Sequence, residues 1–261
     1  MTEPGYAFAG AEHELERRRL ALLEECCDPV TFGQLDAVGV SAGWRCLDVG
    51  AGAGSVTRWL SERVGERGQV VAADLNPRFL DDVPANVEVR RFDVTSDELE
   101  PGSFDLVHVR LLLMHLPDPA AALRRMVGAL KPGGWLLTTE GDWGVVAFGG
   151  PADAPWATAR LHELFARHEP LGRRPYFGRG LPALVAALGL EDLTGEIAGP
   201  MGLPGTAALE LYRATVEGLR GINRAVGATD TELDRIATVL DAPGATCSGV
   251  LLVCVRGRMP G

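Results

Sequence analysis

The sequence predicts an α/β fold, in which a mostly parallel sheet is covered by helices on both faces. Short apolar stretches with the length of strands alternate with helical patterns along residues 44–142. A glycine-rich turn, in "CLDVGAGAGS", follows the first of these strands and opens the first of these helices. With 261 residues, the chain is long enough for one well-buried domain with a small addition.

Five strands and four helices are predicted in the first half of the chain. The strands lie, in order, at "WRCLDVG", "QVVAAD", "VEVRRFDV", "FDLVHVRLLL" and "WLLTTEGDW". A first helix, with Leu15, Leu22 and Cys26 on one stripe, precedes them. The other helices begin after the glycine turn, at Asn76 and at Asp118, and the last of them ends at "KPGG".

The second half is less regular and more helical. Helices are predicted over residues 154–168 and 180–188, a short strand over 190–197, and a long amphipathic helix in "TAALELYRATVEGLRGINRAV". Thr229 and Glu232 have the spacing of a capping box, which predicts one more helix before the final strand, "SGVLLVCVRGR". Because residues 199–240 stand between the last two strands, we expect them to form a lid at the carboxyl edge of the sheet, where ligands bind in open α/β folds.

The charge balance and the cysteines narrow the class of function. The net charge is −10 at pH 7, which disfavours nucleic acid as a partner, so a small-molecule substrate is expected. Five cysteines without paired metal spacing predict reduced thiols. The start "MTEPGYAFAG" lacks the pattern of a signal peptide, and no apolar run reaches the roughly eighteen residues of a membrane span. We therefore expect a cytoplasmic protein that does not bind membranes.

The glycine turn reads Asp-x-Gly-x-Gly-x-Gly, with Asp48 followed by Gly50, Gly52 and Gly54. Glycines at a strand-to-helix turn let a ligand approach the backbone, and the start of the helix offers free N–H groups. A dinucleotide fingerprint would need glycine or alanine where Ser55 stands. The carboxylate of Asp48 would repel a pyrophosphate and suits the cationic end of a ligand, so the turn disfavours a nicotinamide dinucleotide.

Two further aspartates end the second and third strands. Asp74 follows the glycines by about twenty residues, where an acid binds the two hydroxyls of a ribose. Asp93, in "RFDV", is placed to accept a hydrogen bond from an adenine amino group, with Phe92 and Val94 placed to flank the ring. A ligand with an ammonium group, a ribose and an adenine, but no phosphate, is S-adenosylmethionine.

Together these motifs resemble those of class I S-adenosylmethionine-dependent methyltransferases. "LDVGAGAGS", "VVAADLNP", "RFDV", "FDLVHVRLLLMHLPDP" and "LKPGGWLL" occur in the family's order and spacing over residues 41–142, most closely as in the small-molecule group that includes quinone-biosynthesis methyltransferases. The resemblance implies a Rossmann-like, mostly parallel seven-stranded sheet with helices on both faces, an antiparallel last strand and a helical lid. It also implies a helical cap over residues 1–38 before a methyltransferase domain over residues 39–261.

The resemblance also implies the residues of the cofactor site. They are Asp48, Gly50, Gly52 and Gly54 around the methionine part, Asp74 at the ribose, Leu75, Asp93 and Val94 at the adenine, and Val109 and Arg110 on the methionine side. Tyr6 either contacts the bound molecules from the N-terminal segment or belongs to a frayed terminus.

Three side chains are candidates for catalysis. His115 follows the fourth strand, where it is either a base near the site or a structural hydrogen-bonding group. Glu140 and Asp142 follow the fifth strand, where they either orient or deprotonate a nucleophile or cap a loop. His162 and His168 are six residues apart, which does not fit the four-residue spacing of a helical metal motif, so no metal site is predicted.

The function predicted from the sequence is methyl transfer from S-adenosylmethionine to an O, N or C nucleophile of a small organic acceptor, in specialised metabolism. The first alternative is a protein that binds the same cofactor and catalyses another reaction. The second is a nucleotide-dependent oxidoreductase, and the third is a non-enzymatic module that keeps the fold for partner binding. The sequence leaves the acceptor and the oligomeric state open.

Overall fold

The computed structural model describes residues 13–261, and this part of the chain forms two compact units. The first, which we name the sheet unit, comprises Asp28–Glu140, Phe177–Ala198 and Leu252–Gly261. The second, the helical unit, comprises the described residues up to Cys27 together with Gly141–Tyr176 and Gly199–Leu251.

The strands confirm the predicted sheet. They are β1 (Arg45–Val49), β2 (Gln69–Asp74), β3 (Val87–Arg91), β4 (Phe104–Arg110), β5 (Leu130–Asp142), β6 (Ala147–Gly149), β7 (Glu191–Ala198), β8 (Thr246–Ser248) and β9 (Leu251–Arg258). Seven of them form one sheet in the order β3-β2-β1-β4-β5-β9-β7, while β6 and β8 pair separately. The pairs from β3 to β5 are parallel, and β9, the last strand, runs antiparallel to β7.

Most of the helices lie where the sequence predicts them. They are α1 (His13–Val38), α2 (Ser55–Val64), α3 (Pro119–Gly128), α4 (Ala154–Phe165), α5 (Leu181–Ala186), α6 (Ala207–Gly218), α7 (Arg220–Ala225) and α8 (Asp230–Asp241). The helix predicted at Asn76 is wrong: residues 75–86 form bends and turns, and the amide of Leu80 bonds to the carbonyl oxygen of Pro77 (3.0 Å), as in a single tight turn. Leu15 is 62% exposed, so the predicted apolar stripe of the first helix is wrong at that position.

Helices cover both faces of the sheet, as predicted. Neighbouring residues of a strand point to opposite faces, and the core divides accordingly. Leu47 and Val71 belong to a hydrophobic cluster that includes Leu123 of α3. Cys46 lies in another cluster with Leu60 of α2 and with apolar residues near the end of α1. The central strands are therefore buried on both sides, which explains their nearly continuous apolar sequences.

The "KPGG" sequence lies within β5 and not at the end of a helix, so that prediction is wrong. Gly133 has a φ of 77°, and a Cβ on Gly134 would lie 2.9 Å from the carbonyl oxygen of Phe104. The pairing of β4 with β5 shifts register between Phe104 and Leu106, as in a β-bulge. The glycines therefore serve a bulge at the start of the strand.

In the helical unit, one predicted feature of the helices is confirmed and another is wrong. Thr229 and Glu232 form the predicted capping box at the start of α8. The long helix predicted after Thr206 is divided in two at Leu219, between α6 and α7. None of the helices that the structure describes is both long and apolar enough to cross a membrane.

Candidate functional site

The turn from Gly50 to Gly54 joins β1 to α2 at the carboxyl edge of the sheet. Its three alternating glycines have φ angles of 74°, 60° and 86°, in the left-handed region that glycine adopts without steric cost. The amides of Gly50 and Ala51 donate to the carbonyl oxygen of Ala73 on β2, over 2.7 and 3.3 Å. The spacing of the glycines is therefore required by the backbone of this turn.

The carboxylate of Asp74 lies against the same turn, at the end of β2. Its Oδ2 accepts a hydrogen bond from the amide of Gly52 (3.0 Å), and its Oδ1 accepts one from the amide of Asn76 (2.8 Å). Burial raises the pKa of this carboxyl group, and the two amides oppose that rise. Each carboxylate oxygen has a second lone pair, so the group can still accept hydrogen bonds from a diol.

Asp48 lies beneath the turn and is only 2% exposed. Its Oδ2 accepts a hydrogen bond from the hydroxyl of Thr57 (2.7 Å), and its Oδ1 lies 2.8 Å from Nδ1 of His108. Burial alone would raise the pKa of Asp48, but the hydrogen bond and charge of His108, with the Thr57 hydroxyl, hold it below its usual value. Because an ionised carboxylate can only accept, Nδ1 of His108 carries the proton. Direct contact of Asp48 with a ligand stays a prediction.

His108 and Thr57 both contact Asp48, and neither was among the residues predicted from the sequence. His108 is 1% exposed, and its Nε2 has no hydrogen-bond partner within the described residues. The signal was present in "FDLVHVR", where one polar residue interrupts a buried strand. In the parallel register of β1 and β4, that residue stands directly opposite Asp48.

The residues predicted at the adenine lie at the ends of β2 and β3. Leu75 is a large apolar side chain that is 43% exposed. Oδ1 of Asp93 accepts hydrogen bonds from the hydroxyl and the amide of Thr95, over 2.6 and 2.8 Å, and these bonds lower the pKa of the Asp93 carboxyl. Val94 and Phe92 are buried in the core, so neither side chain flanks an open site in this structure. Val94 can contribute its backbone.

At the end of β4, the side chain of Val109 is buried in the core, whereas Arg110 has polar partners. Nη1 of Arg110 donates to Oδ1 of Asp28 (2.8 Å) and to the hydroxyl of Thr31 (2.9 Å), both on α1. Oδ1 of Asp28 also accepts a hydrogen bond from the hydroxyl of Ser55 (3.0 Å), the first residue of α2. A network thus connects α1 with the end of β4 and with the start of α2.

The loop after β4 is held by Glu140, one of the three catalytic candidates. Oε1 of Glu140 accepts the amides of Leu112 (3.0 Å) and Leu113 (2.7 Å), and the side chain has no exposed surface. Leu111, at a φ of 53°, turns the backbone so that these amides face the carboxyl group. A Cβ on Gly50 would lie 3.1 Å from Cδ2 of Leu112, so this loop packs against the glycine turn. Glu140 positions the loop and is not open to a substrate here.

The comparisons with known proteins agree with this geometry. A model of the methyltransferase domain matches residues 47–138. A methyltransferase of Strobilurus tenacellus, str2, is 32% identical over 184 residues, which are 69% of this chain and 66% of that protein. The ubiquinone/menaquinone biosynthesis C-methyltransferase of Pseudomonas fluorescens is 38% identical over 115 residues, which are 41% of this chain and 45% of that protein. The chain belongs to the class I S-adenosylmethionine-dependent methyltransferases.

The sequence matches cover part of the relatives, and a solved structure has the same fold. The chain spans just under two thirds of str2 and less than half of the Pseudomonas methyltransferase. The solved structure of the protein BH2331 from Bacillus halodurans matches with a TM-score of 0.56 over 88% of this chain and 98% of that one, at 16% identity. A likeness at that identity concerns the fold, and it confirms the predicted methyltransferase architecture.

The remaining candidate residues are Asp142, His115 and Tyr6. Oδ1 of Asp142, which is 3% exposed, accepts the amide of Gly144 (2.7 Å), as expected of a carboxylate that caps a loop. His115 is partly buried at the end of a 3₁₀ turn, Leu113–His115. Tyr6 lies outside the described residues. Within those residues, no three His, Cys, Asp or Glu side chains form a group that could hold a metal ion.

Proposed function

We propose that this protein transfers the methyl group of S-adenosylmethionine to an O, N or C nucleophile of a small organic acceptor, in specialised metabolism. One observation carries the proposal: at the carboxyl ends of β1 and β2, the amide of Gly52 in the glycine turn donates a hydrogen bond to the carboxylate of Asp74 (3.0 Å). Asp93 continues the series after β3, the next strand in the sheet. A ligand that lies along this edge meets an anionic group at its ribose and another at its adenine.

The arrangement of the acids supports a mechanism in which the protein aligns the methyl donor with the acceptor. S-adenosylmethionine supplies a methyl group that its sulfonium already activates. The residues of the chain must therefore hold the donor and acceptor in line and exclude water, and a base is needed only where the acceptor must lose a proton. Glu140 and Asp142 are 0% and 3% exposed, so neither carboxyl group has the access of a general base in this structure.

The relatives suggest an acceptor with which to begin. One of them is named a C-methyltransferase of ubiquinone/menaquinone biosynthesis. Together with the acidic charge of this chain, this favours a neutral or weakly acidic ring compound with a nucleophilic carbon or hydroxyl group. Methyl transfer to a panel of phenols and hydroxyquinones, followed by mass spectrometry, would identify the methylated atom.

The binding step can be tested by calorimetry. We expect S-adenosylmethionine and its demethylated product to bind with micromolar affinity, about −8 kcal/mol. Asp74→Ala should weaken both by about 2–3 kcal/mol, because charge-assisted hydrogen bonds to the ribose are lost. Asp81→Ala, which removes an exposed carboxylate from the segment after β2, is the matched control and should leave both affinities unchanged. Equal affinities for wild type and Asp74→Ala would contradict the assignment.

Two alternatives have distinct outcomes in the same assays. A nucleotide-dependent oxidoreductase would bind NADH more tightly than the demethylated cofactor product. A protein that uses the cofactor for another reaction would bind both cofactor forms, yet convert its substrate without a gain of one methyl group in mass.

We also propose that the predicted cap over residues 1–38 and the predicted lid over residues 199–240 exclude water from the reaction. The helices α6 and α7, and α8 except for its last residue, lie in the second segment, and α6 and α8 provide its amphipathic surfaces. Amide hydrogen exchange in both segments should slow when cofactor product and acceptor bind together. Unchanged exchange in both segments would exclude a role as a lid.

A further inference from the structure

Asp28 on α1 connects the end of β4 with the start of α2. Its Oδ1 accepts hydrogen bonds from Nη1 of Arg110 (2.8 Å), the last residue of β4, and from the hydroxyl of Ser55 (3.0 Å), the first residue of α2. The side chains of Arg110 and Asp28 are 9% and 16% exposed. An ion pair that is this well shielded from water orients its partners more strongly than a surface pair.

The pair leaves one side of the guanidinium group of Arg110 available. Its hydrogen bonds to described residues, with Asp28 and Thr31, all start from Nη1. Nε and Nη2 donate to no residue in the part of the chain that the structure describes. These two nitrogens form the flat edge of the guanidinium group that binds the two oxygens of a carboxylate.

The order of the strands places this free edge at the amino-acid end of the proposed cofactor. Asp93 after β3 and Asp74 on β2 are the proposed adenine and ribose ligands, and the sheet continues from β2 to β1 and then to β4. A cofactor that extends along this edge therefore ends near the carboxyl ends of β1 and β4. Arg110 is the last residue of β4. Its side chain is connected to Ser55, at the start of α2, through Asp28, which accepts a hydrogen bond from each of them.

We propose that Asp28 is a positioning residue, which holds Arg110 by Nη1 so that its Nε–Nη2 edge binds the carboxylate of the cofactor's methionine part. The inference rests on the proposed function, since it assumes that S-adenosylmethionine binds along this edge. It assigns α1 a role in recognising the cofactor, through a residue outside the glycine turn.

Two ligands that differ only at the amino-acid end provide the test. S-adenosylhomocysteine has the carboxylate, whereas 5′-methylthioadenosine keeps the adenine, ribose and sulfur without it. By calorimetry on the full chain, Asp28→Asn should weaken S-adenosylhomocysteine about tenfold and change 5′-methylthioadenosine by less than about twofold. The matched control is Asp36→Asn, on the same helix, because Asp36 pairs with Arg63 (3.0 Å) where both side chains are about half exposed. It should leave both affinities unchanged.

The outcomes separate the inference from the proposed function. Equal weakening of both ligands by Asp28→Asn, or no weakening beyond that of Asp36→Asn, would overturn the positioning role while the wild type still binds both. Wild-type protein that binds neither ligand would overturn the proposed function itself. If Asp28→Asn does not fold, Arg110→Lys replaces it: the charge remains but the flat edge is lost, so the preference for S-adenosylhomocysteine over 5′-methylthioadenosine should fall about tenfold. An unchanged preference in Arg110→Lys would also overturn the inference.

Discussion

Two carboxyl groups are buried in the described sheet unit, and the protein holds them in opposite ways. Asp48 lies beneath the glycine turn, where it is bonded by a hydroxyl group and an imidazole. Glu140 lies beneath the loop after β4, where it accepts backbone amides. The pKa of Asp48 is lowered although its burial acts to raise it, whereas burial raises the pKa of Glu140 to about 8.

The difference shows that the kind of partner matters as well as the number of hydrogen bonds. Backbone amides offer dipoles, whereas the imidazole of His108 can also carry positive charge, which favours the ionised acid. Oε2 of Glu140 has no hydrogen-bond partner among the described residues, so its ionised form would lack that support. The glycine turn is thus held by an ionised acid, and the loop after β4 is held at neutral pH by a mostly protonated one.

The contributions of the two acids to the stability of the fold are lost in opposite directions of pH. A lowered pKa makes the contribution of Asp48 present above the ordinary pKa of aspartate, and it is lost as the pH falls through the lower folded value. A raised pKa makes the contribution of Glu140 present below the ordinary pKa of glutamate, and it is lost as the pH rises through about 8. The predictions below test this contrast.

The largest effect is expected from Asp48→Ala. It leaves the imidazole of His108 and the hydroxyl of Thr57 buried without their shared acceptor, so the free energy of unfolding in urea should fall by about 3 kcal/mol. Asp105→Ala is the matched control, because Asp105 pairs with Lys131 (2.7 Å) with its side chain 24% exposed. That change should cost about 1 kcal/mol. Equal losses in the two variants would mean that burial of the Asp48 network adds nothing.

A smaller effect, visible only as a function of pH, is expected from Glu140→Gln. The amide oxygen still accepts the loop amides, but the side chain no longer titrates. Between pH 6 and pH 8, the free energy of unfolding of the wild type should therefore fall by about 2 kcal/mol relative to the variant.

The control for this pH dependence is Glu62→Gln, on the exposed side of α2. It should leave the curve of unfolding free energy against pH parallel to that of the wild type. Parallel curves for Glu140→Gln and the wild type would show that Glu140 is ionised throughout this range, contrary to the contrast with Asp48.

The contrast also shows what the sequence could predict. The sheet and the turn of Gly50–Gly54 followed from local signals, since strand length, apolar runs and glycines in left-handed conformations are properties of short segments. The alternatives stated for Glu140 and Asp142 included loop capping, and each carboxylate does accept loop amides. Which alternative holds depends on burial, which spacing along the chain does not give.

The partners of Asp48 required information that no single segment contains. His108 is 60 residues away, and it meets Asp48 only through the register of β1 and β4. The network of Asp28 and Arg110 likewise joins residues 82 positions apart. Tertiary contacts decide these positions, and the local pattern does not.

The smallest effect on stability is expected from Thr57→Val, which removes one of the two side-chain partners of Asp48. Thr57 is fully buried on α2, and valine keeps its shape while the hydrogen bond to Asp48 (2.7 Å) is lost. The free energy of unfolding at pH 7 should fall by about 1 kcal/mol, because His108 still supports the carboxylate. The midpoint of acid unfolding should also move to higher pH, since one of the groups that lower the pKa of Asp48 is gone. In an Asp48→Ala background the same change should cost less than half as much, as a double-mutant cycle would measure. If Thr57→Val costs as much with Asp48 absent, the hydroxyl stabilises α2 through other contacts, and the ionised state of Asp48 depends on His108 alone.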